Sequence, residues 1–270
     1  MNSELLFLRI DDLSIAYRRA GEGPALVLLH GFLCDSRCWA RQLAELSDRF
    51  DVIAWDAPGA GSSSDPPDPF TMADWSRCLA KFLDGLGIAR AHLVGLSWGG
   101  VLAQDFYRLY PARVLGLILA GTYAGWKGSL PAPVVEARLS RCYADSYLPP
   151  EVFVPRWVPE MFTDAVPRSV LDALSAVLAE FHPHGFRLMA RAVAQTDTTD
   201  LLPNIAARTM ILWGDDDRRS PMSIAEQLRN AIPAAELHVI AHAGHVCNME
   251  QPAAFNAAIR RFCSEHPTSQ

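Results

Sequence analysis

The stretch His92-Leu93-Val94-Gly95-Leu96-Ser97-Trp98-Gly99-Gly100 decides how the chain reads. A short apolar strand, His92–Val94, runs into Gly-x-Ser-x-Gly. A helix opens at Trp98 and runs to Tyr110, where Pro111 stops it. Gly-x-Ser-x-Gly between a strand and a helix is a nucleophile elbow. Glycine at 95 and 99 removes side chains that would crowd the turn. Ser97 Oγ is then presented at the carboxyl edge of a sheet, above a helix N-terminus.

Outward from this turn, short apolar runs alternate with helical stretches. Upstream, Ala25–Leu29 and Asp51–Trp55 read as strands buried on both faces. Leu6–Ile10 and Ser14–Arg19 read as an antiparallel pair ahead of them. Downstream come Val114–Ala120, Thr209–Trp213 and Glu236–Ile240. Helices are predicted at Cys38–Leu46, Thr71–Leu86, Met222–Ala231 and Pro252–Cys263, with Thr71 as a cap and Pro252 in a first turn. The pattern predicts an α/β protein with a mostly parallel, eight-stranded sheet and helices on both faces. Residues 121–205 break the rhythm. They contain no strand signal, several aromatics and prolines, and helical stretches such as Val134–Tyr143 and Ser169–Glu180. So long and apolar a segment predicts a helical insertion over one end of the sheet.

Composition bounds the function. Of 270 residues, 50% are hydrophobic and 20% charged, enough apolar material for a sizeable core. The formal charge of −6, with no basic run, argues against nucleic acid as partner. No apolar run approaches the ~20 residues that would cross a bilayer, and Met1–Asp12 has no signal-peptide character. A cytoplasmic protein that does not act on membranes is the expectation. The cysteines at 34, 38, 78, 142, 247 and 263 match no zinc signature and read as buried free thiols. Neither metal nor organic cofactor is expected.

A serine hydroxyl needs a base. His245, in Ala243-Gly244-His245, follows the Glu236–Ile240 strand and precedes the last helix, the place that the chain order Ser…Asp/Glu…His requires. His92, His182, His184, His242 and His266 are its weaker competitors. The acid belongs after Thr209–Trp213, where Asp215, Asp216 and Asp217 stand in a row and the local reading leaves all three open. An oxyanion hole needs two backbone donors. The elbow supplies the N–H of Trp98. The His30-Gly31-Phe32 loop supplies that of Phe32, with His30 organising the loop.

Taken together, these residues resemble the α/β-hydrolase superfamily over nearly the whole chain. His30-Gly31-Phe32, Asp56-x-Pro58-Gly59-x-Gly61-x-Ser63, Gly95–Gly100, Gly214-x-x-Asp217 and Ala243-Gly244-His245 stand in that superfamily's order. The resemblance implies the α/β-hydrolase fold, a core of residues 1–120 and 206–270, and a helical cap at 121–205. It implies a Ser97–His245–Asp217 triad, the acid being the third residue after Gly214. Asp215 and Asp216 are then expected at the solvent rim. His245–Pro252 and Met161-Phe162-Thr163 look similar to 3-oxoadipate enol-lactonases and small bacterial esterases. Haloalkane dehalogenases and epoxide hydrolases are set aside because their elbow carries Asp. The activity implied is hydrolysis of a small-molecule carboxylic ester or lactone through an acyl-enzyme. Cleavage of a carbon–carbon bond in a dienoic ring-fission product is one alternative, and a regulatory member that binds a ligand with little turnover is another. Trp126, Trp157 and Phe162 are the cap side chains expected in the substrate pocket.

Overall fold

The computed structural model describes residues 4–264. β1 (Leu5–Ile10) and β2 (Leu13–Ala20) form the expected antiparallel hairpin. They are followed by β3 (Ala25–Leu29), β4 (Asp51–Trp55), β5 (Ala91–Leu96), β6 (Val114–Ala120), β7 (Thr209–Gly214) and β8 (Glu236–Ile240). The sheet order is β1-β2-β4-β3-β5-β6-β7-β8, and every pair from β4 onward is parallel. β3, β4, β5 and β7 are buried at every position, so helices cover both faces of the sheet.

Eleven α-helices complete the described residues. In the sheet-covering set, α1 (Ala40–Leu46) and α2 (Met72–Gly85) precede the elbow, and α3 (Trp98–Leu109) leaves it. Thr71 caps α2 in a reciprocal box with Asp74, which satisfies two backbone donors. The predicted helix from Cys38 is shorter than expected. Asp35 instead starts a 3₁₀ turn, Ser36–Trp39, by accepting the N–H of Arg37 at 2.8 Å, and α1 begins only at Ala40. Between β6 and β7 lie α4 (Gly125–Ser129), α5 (Ala132–Asp145), α6 (Pro150–Trp157), α7 (Arg168–Leu178) and α8 (Pro183–Gln195). α9 (Met222–Ala231), α10 (Cys247–Glu250) and α11 (Pro252–Ser264) follow β7 and β8. No helix among the described residues is long and apolar enough to cross a membrane. All six cysteines are buried and unbridged.

The strand order places the site. From β3 the chain crosses to β4 on one side, and the next strand, β5, lies on the other. Loops leaving adjacent strands on either side of such a reversal splay apart and open a crevice at the carboxyl edge. Register brings the relevant turns level there: Leu29 pairs with Gly95, Leu96 with Ala120, Ala120 with Leu212, and Gly214 with Ile240.

The segment between β6 and β7 has an aromatic core of its own. Phe153 stacks on Phe181 with ring centroids 4.3 Å apart, and Trp157 and Phe186 pack edge-on at 5.7 Å. Phe186 also meets Phe32 of the loop after β3, 5.6 Å away. The N–H of Val246 donates to Met161 O at 3.0 Å, and Arg37 pairs with Glu180 at 2.7 Å. The insertion therefore lies on the same sheet edge as Ser97.

Candidate active site

Ser97 holds φ 53° and ψ −115°, a region that side-chain-bearing residues rarely adopt. The surroundings over-determine it. Its N–H donates to Ala120 O at 2.8 Å, and its carbonyl accepts Thr122 Oγ1 at 2.6 Å. Glycine is needed two residues later, because a Cβ on Gly99 would run into the backbone of Leu29 and His30. Only a bare backbone lets α3 start this close to β3. Gly31 lies across from the serine, and a Cβ there would come 3.2 Å from Ser97 Cβ.

His245 is buried, and its Nδ1 lies 2.9 Å from Asp217 Oδ2. The carboxylate is an acceptor, so Nδ1 carries a proton, and a neutral ring so held has its lone pair on Nε2. Asp217 is itself fixed: its other oxygen, Oδ1, accepts the N–H groups of Arg219 (2.9 Å) and Ser220 (2.8 Å). The neighbouring acids do other things. Asp215 is exposed and accepts the N–H of Ala243 at 3.1 Å, while Asp216 is exposed and pairs with Arg218. Gly121, at φ 51°, passes under the pair, and a Cβ there would sit 3.2 Å from both Asp217 Oδ2 and His245 Nδ1.

The competing histidines are engaged elsewhere. His182 contacts Asp65, and His184 contacts Pro66 O. His242 is exposed, His92 packs on Phe262, and His266 lies outside the described residues. His30 organises its loop: Nε2 accepts the Ala57 N–H at 2.9 Å, so Nδ1 donates to Gly31 O at 2.8 Å. Burial holds its pKa below the usual histidine value, which keeps the ring neutral in that role.

Two backbone amides near Ser97 are spare for structural reasons. Trp98 is the first residue of α3, so its N–H has no partner within the helix. Phe32 is the second residue of a turn closed by Cys34 N–H to Gly31 O, 3.3 Å, in which Leu33 takes φ 61°. The amide at that position makes no bond within the turn.

Ser97, His245, Phe32 and Arg219 border two adjoining chambers. One is walled by apolar groups including Leu96, Met161, Leu174, Leu178 and Val246. The other is bounded by Tyr123, Trp126, Arg138 and Val193. Of the three aromatics expected at the pocket, Trp126 lines this second chamber. Trp157 lines a cavity further out, bordered also by Trp126, Arg138 and Arg219. Phe162 is among the lining residues of neither chamber at Ser97, which corrects the expectation. It is fully buried, with its backbone against Gly244, because the His loop and the insertion meet there. Met161, its neighbour, reaches the chamber instead.

Glu250 also belongs to the site. It accepts the N–H of Gly244 at 2.8 Å, and Thr163 donates to it through both N–H and Oγ1. The sequence marks it only as an acid five residues past His245, ahead of Pro252. Chemically, the arrangement combines a strained hydroxyl, an imidazole of fixed tautomer and two spare amides around one apolar-walled space, the ingredients of acyl transfer.

The alpha/beta hydrolase family model matches residues 26–258. The chain is 32% identical to a 2-hydroxy-6-oxononadienedioate/2-hydroxy-6-oxononatrienedioate hydrolase of Burkholderia vietnamiensis, over 93% of this chain and 91% of that one. It is 28% identical to 3-oxoadipate enol-lactonase 2 of Acinetobacter baylyi, over 93% and 94%. A thermophilic esterase from Thermogutta terrifontis, solved with malate bound, superposes with a TM-score of 0.89 at 30% identity, covering 97% of this chain and 99% of its own.

Proposed function

The chain belongs to the alpha/beta hydrolase family, and from that premise we propose that it cleaves carboxylic esters or lactones through an acyl-enzyme on Ser97. His245 Nε2 takes the proton as Ser97 Oγ attacks the carbonyl carbon. Asp217 stabilises the imidazolium that forms. The N–H groups of Phe32 and Trp98 receive the developing oxyanion. Collapse expels the alkoxide, which takes the proton from His245. Water then attacks the acyl-enzyme with His245 again as base, releasing the acid and restoring the serine hydroxyl. The observation that carries this reading is the 2.9 Å bond between His245 Nδ1 and Asp217 Oδ2, bordering the chamber that the strained Ser97 also borders. In the same reading, residues 121–205 act as a cap on a core of 1–120 and 206–270, and set specificity through Met161, Leu174, Leu178 and Trp126.

Hydrolysis of a carbon–carbon bond in a dienoic ring-fission product is the second reading, favoured by the 32% identity to the Burkholderia hydrolase. A side-by-side panel of short aryl esters, lactones and dienoates decides between them. The expected result is turnover of an ester or lactone that Ser97→Ala abolishes, with a serine-directed phosphonate labelling Ser97 alone. Turnover confined to the dienoate favours the second reading, and labelling of another residue overturns the first.

A further inference from the structure

The two chambers at Ser97 differ in charge. Arg219 borders both, but a second guanidinium, Arg138, borders only the Tyr123–Trp126 chamber, and the other chamber is otherwise walled by apolar groups such as Met161, Leu174 and Leu178. Arg219 is balanced by Glu160, 2.6 Å away, which also serves Arg141 at 2.9 Å. Arg138 is different. Its hydrogen bonds go to Tyr123 Oη and the carbonyl of Arg219, both at 3.1 Å, and it has no carboxylate partner among the described residues. It lies over the rings of Tyr123 (5.4 Å) and Trp126 (5.6 Å), which hold the guanidinium plane in place. Trp126 in turn packs edge-on against Phe32, 5.7 Å away. A half-buried cation is thus fixed one aromatic ring from an amide placed to receive the oxyanion.

We propose that Arg138, backed by Arg219, forms an anionic subsite, so that the preferred substrate carries a carboxylate on the part that occupies the Tyr123–Trp126 chamber and an apolar group on the part that occupies the other. This rests on the hydrolase reading above and names its substrate class. A guanidinium without an acid partner, at the wall of a space bounded by aromatic rings, is worth most to a carboxylate that brings two acceptors to its planar fork. The partial desolvation of that wall makes the bond stronger than a surface ion pair.

The test compares charged and neutral twins. Monomethyl adipate against methyl hexanoate places the carboxylate on the acyl chain. The butyrate ester of 4-hydroxybutyrate against butyl butyrate places it on the alcohol. One of the two charged esters should exceed its twin in kcat/KM by about tenfold or more. Arg138→Gln should lower kcat/KM for that charged ester at least about tenfold more than for its twin, and Arg138→Lys should restore part of the difference. A binding arm needs no turnover: adipate, and not its uncharged diamide adipamide, should raise the Tm of Ser97→Ala, and Arg138→Gln in that background should remove the shift. Equal kcat/KM for both pairs, or an equal loss on charged and neutral esters in Arg138→Gln, overturns the subsite. If neither these esters nor the esters and lactones of the panel above are hydrolysed, the acyl-enzyme reading fails, and the Tm arm still decides whether the subsite binds a carboxylate.

Discussion

Glu250 Oε2 accepts the N–H of Gly244 at 2.8 Å, one residue before His245. The same carboxylate holds Thr163 at the end of the segment that carries Met161. One buried acid therefore sets both the entry to the His loop and the edge of the apolar chamber. Glu250→Gln keeps the shape but turns an NH₂ toward one of the donors. Losing a charged acceptor at a buried donor costs about 1–3 kcal/mol, so a lowered Tm together with a reduced kcat is expected. Thermal unfolding and ester kinetics on one preparation check it, and an unchanged kcat would mean the His loop holds without Glu250.

Asp217→Asn should be far worse than Asp215→Asn, though the two acids are two residues apart. At 217 the amide offers a donor where His245 Nδ1–H needs an acceptor, and the wrong tautomer costs up to ~10⁴ in kcat in the serine-protease template. At 215 the amide oxygen can still accept the Ala243 N–H from an exposed position, so kcat should change little. Comparable losses at both positions would contradict the separate duties of the two acids.

Ser97→Ala and Ser97→Gly should both be inactive, but they should differ in stability in an unusual direction. Glycine normally destabilises relative to alanine by about 0.5–1 kcal/mol. At φ 53°, ψ −115° alanine keeps the steric strain of the serine, of order 1–3 kcal/mol, and glycine relieves it. The glycine variant should therefore match or exceed the alanine variant in urea midpoint. A glycine variant clearly less stable than alanine would mean the turn is not strained.

His92 makes the folded state acid-sensitive away from the site. Burial, then the charges of Arg208 and Arg90, lower its pKa from 6.5 to about 4. Above pH 6.5 the ring is neutral in both states and costs nothing. As pH falls below 6.5 the unfolded chain takes up a proton that the folded chain refuses until about pH 4. Stability is lost across that window, by roughly 3 kcal/mol at its lower end. Burial of His30 acts in the same direction. Urea unfolding at pH 7 and pH 5 should show a smaller loss for His92→Leu than for the parent, and parallel losses would remove His92 from the account.

The fold is legible in the sequence where structure is local. The elbow, the His30–Cys34 turn and the strand runs depend on sterics within a few residues, and a glycine two positions from a serine carries that information directly. The insertion was harder. α6 contains Pro155 and α8 opens on Pro183 followed two residues later by Gly185, so periodicity and propensity disagree there. Which aromatics face the chamber was not legible at all. Phe153, Trp157, Phe181 and Phe186 satisfy one another, and only tertiary packing decides that Trp126 reaches inward while Phe162 lies under Gly244. Arg138 has no signal in one dimension, since its partners stand 15 and 81 residues away, and the tie from Glu250 to Thr163 spans 87.

The way Asp217 is gripped has a bearing on how such an enzyme diversifies. Its Oδ1 is held by main-chain N–H groups of residues 219 and 220, and main-chain groups are supplied by nearly every amino acid. The side chain at 219 can therefore be rewritten while the hydrogen bonds to the acid persist. A library randomised at 138 and 219 would explore new substrates on a fixed catalytic frame, whereas one randomised at Gly121 or Gly244 would break the frame itself.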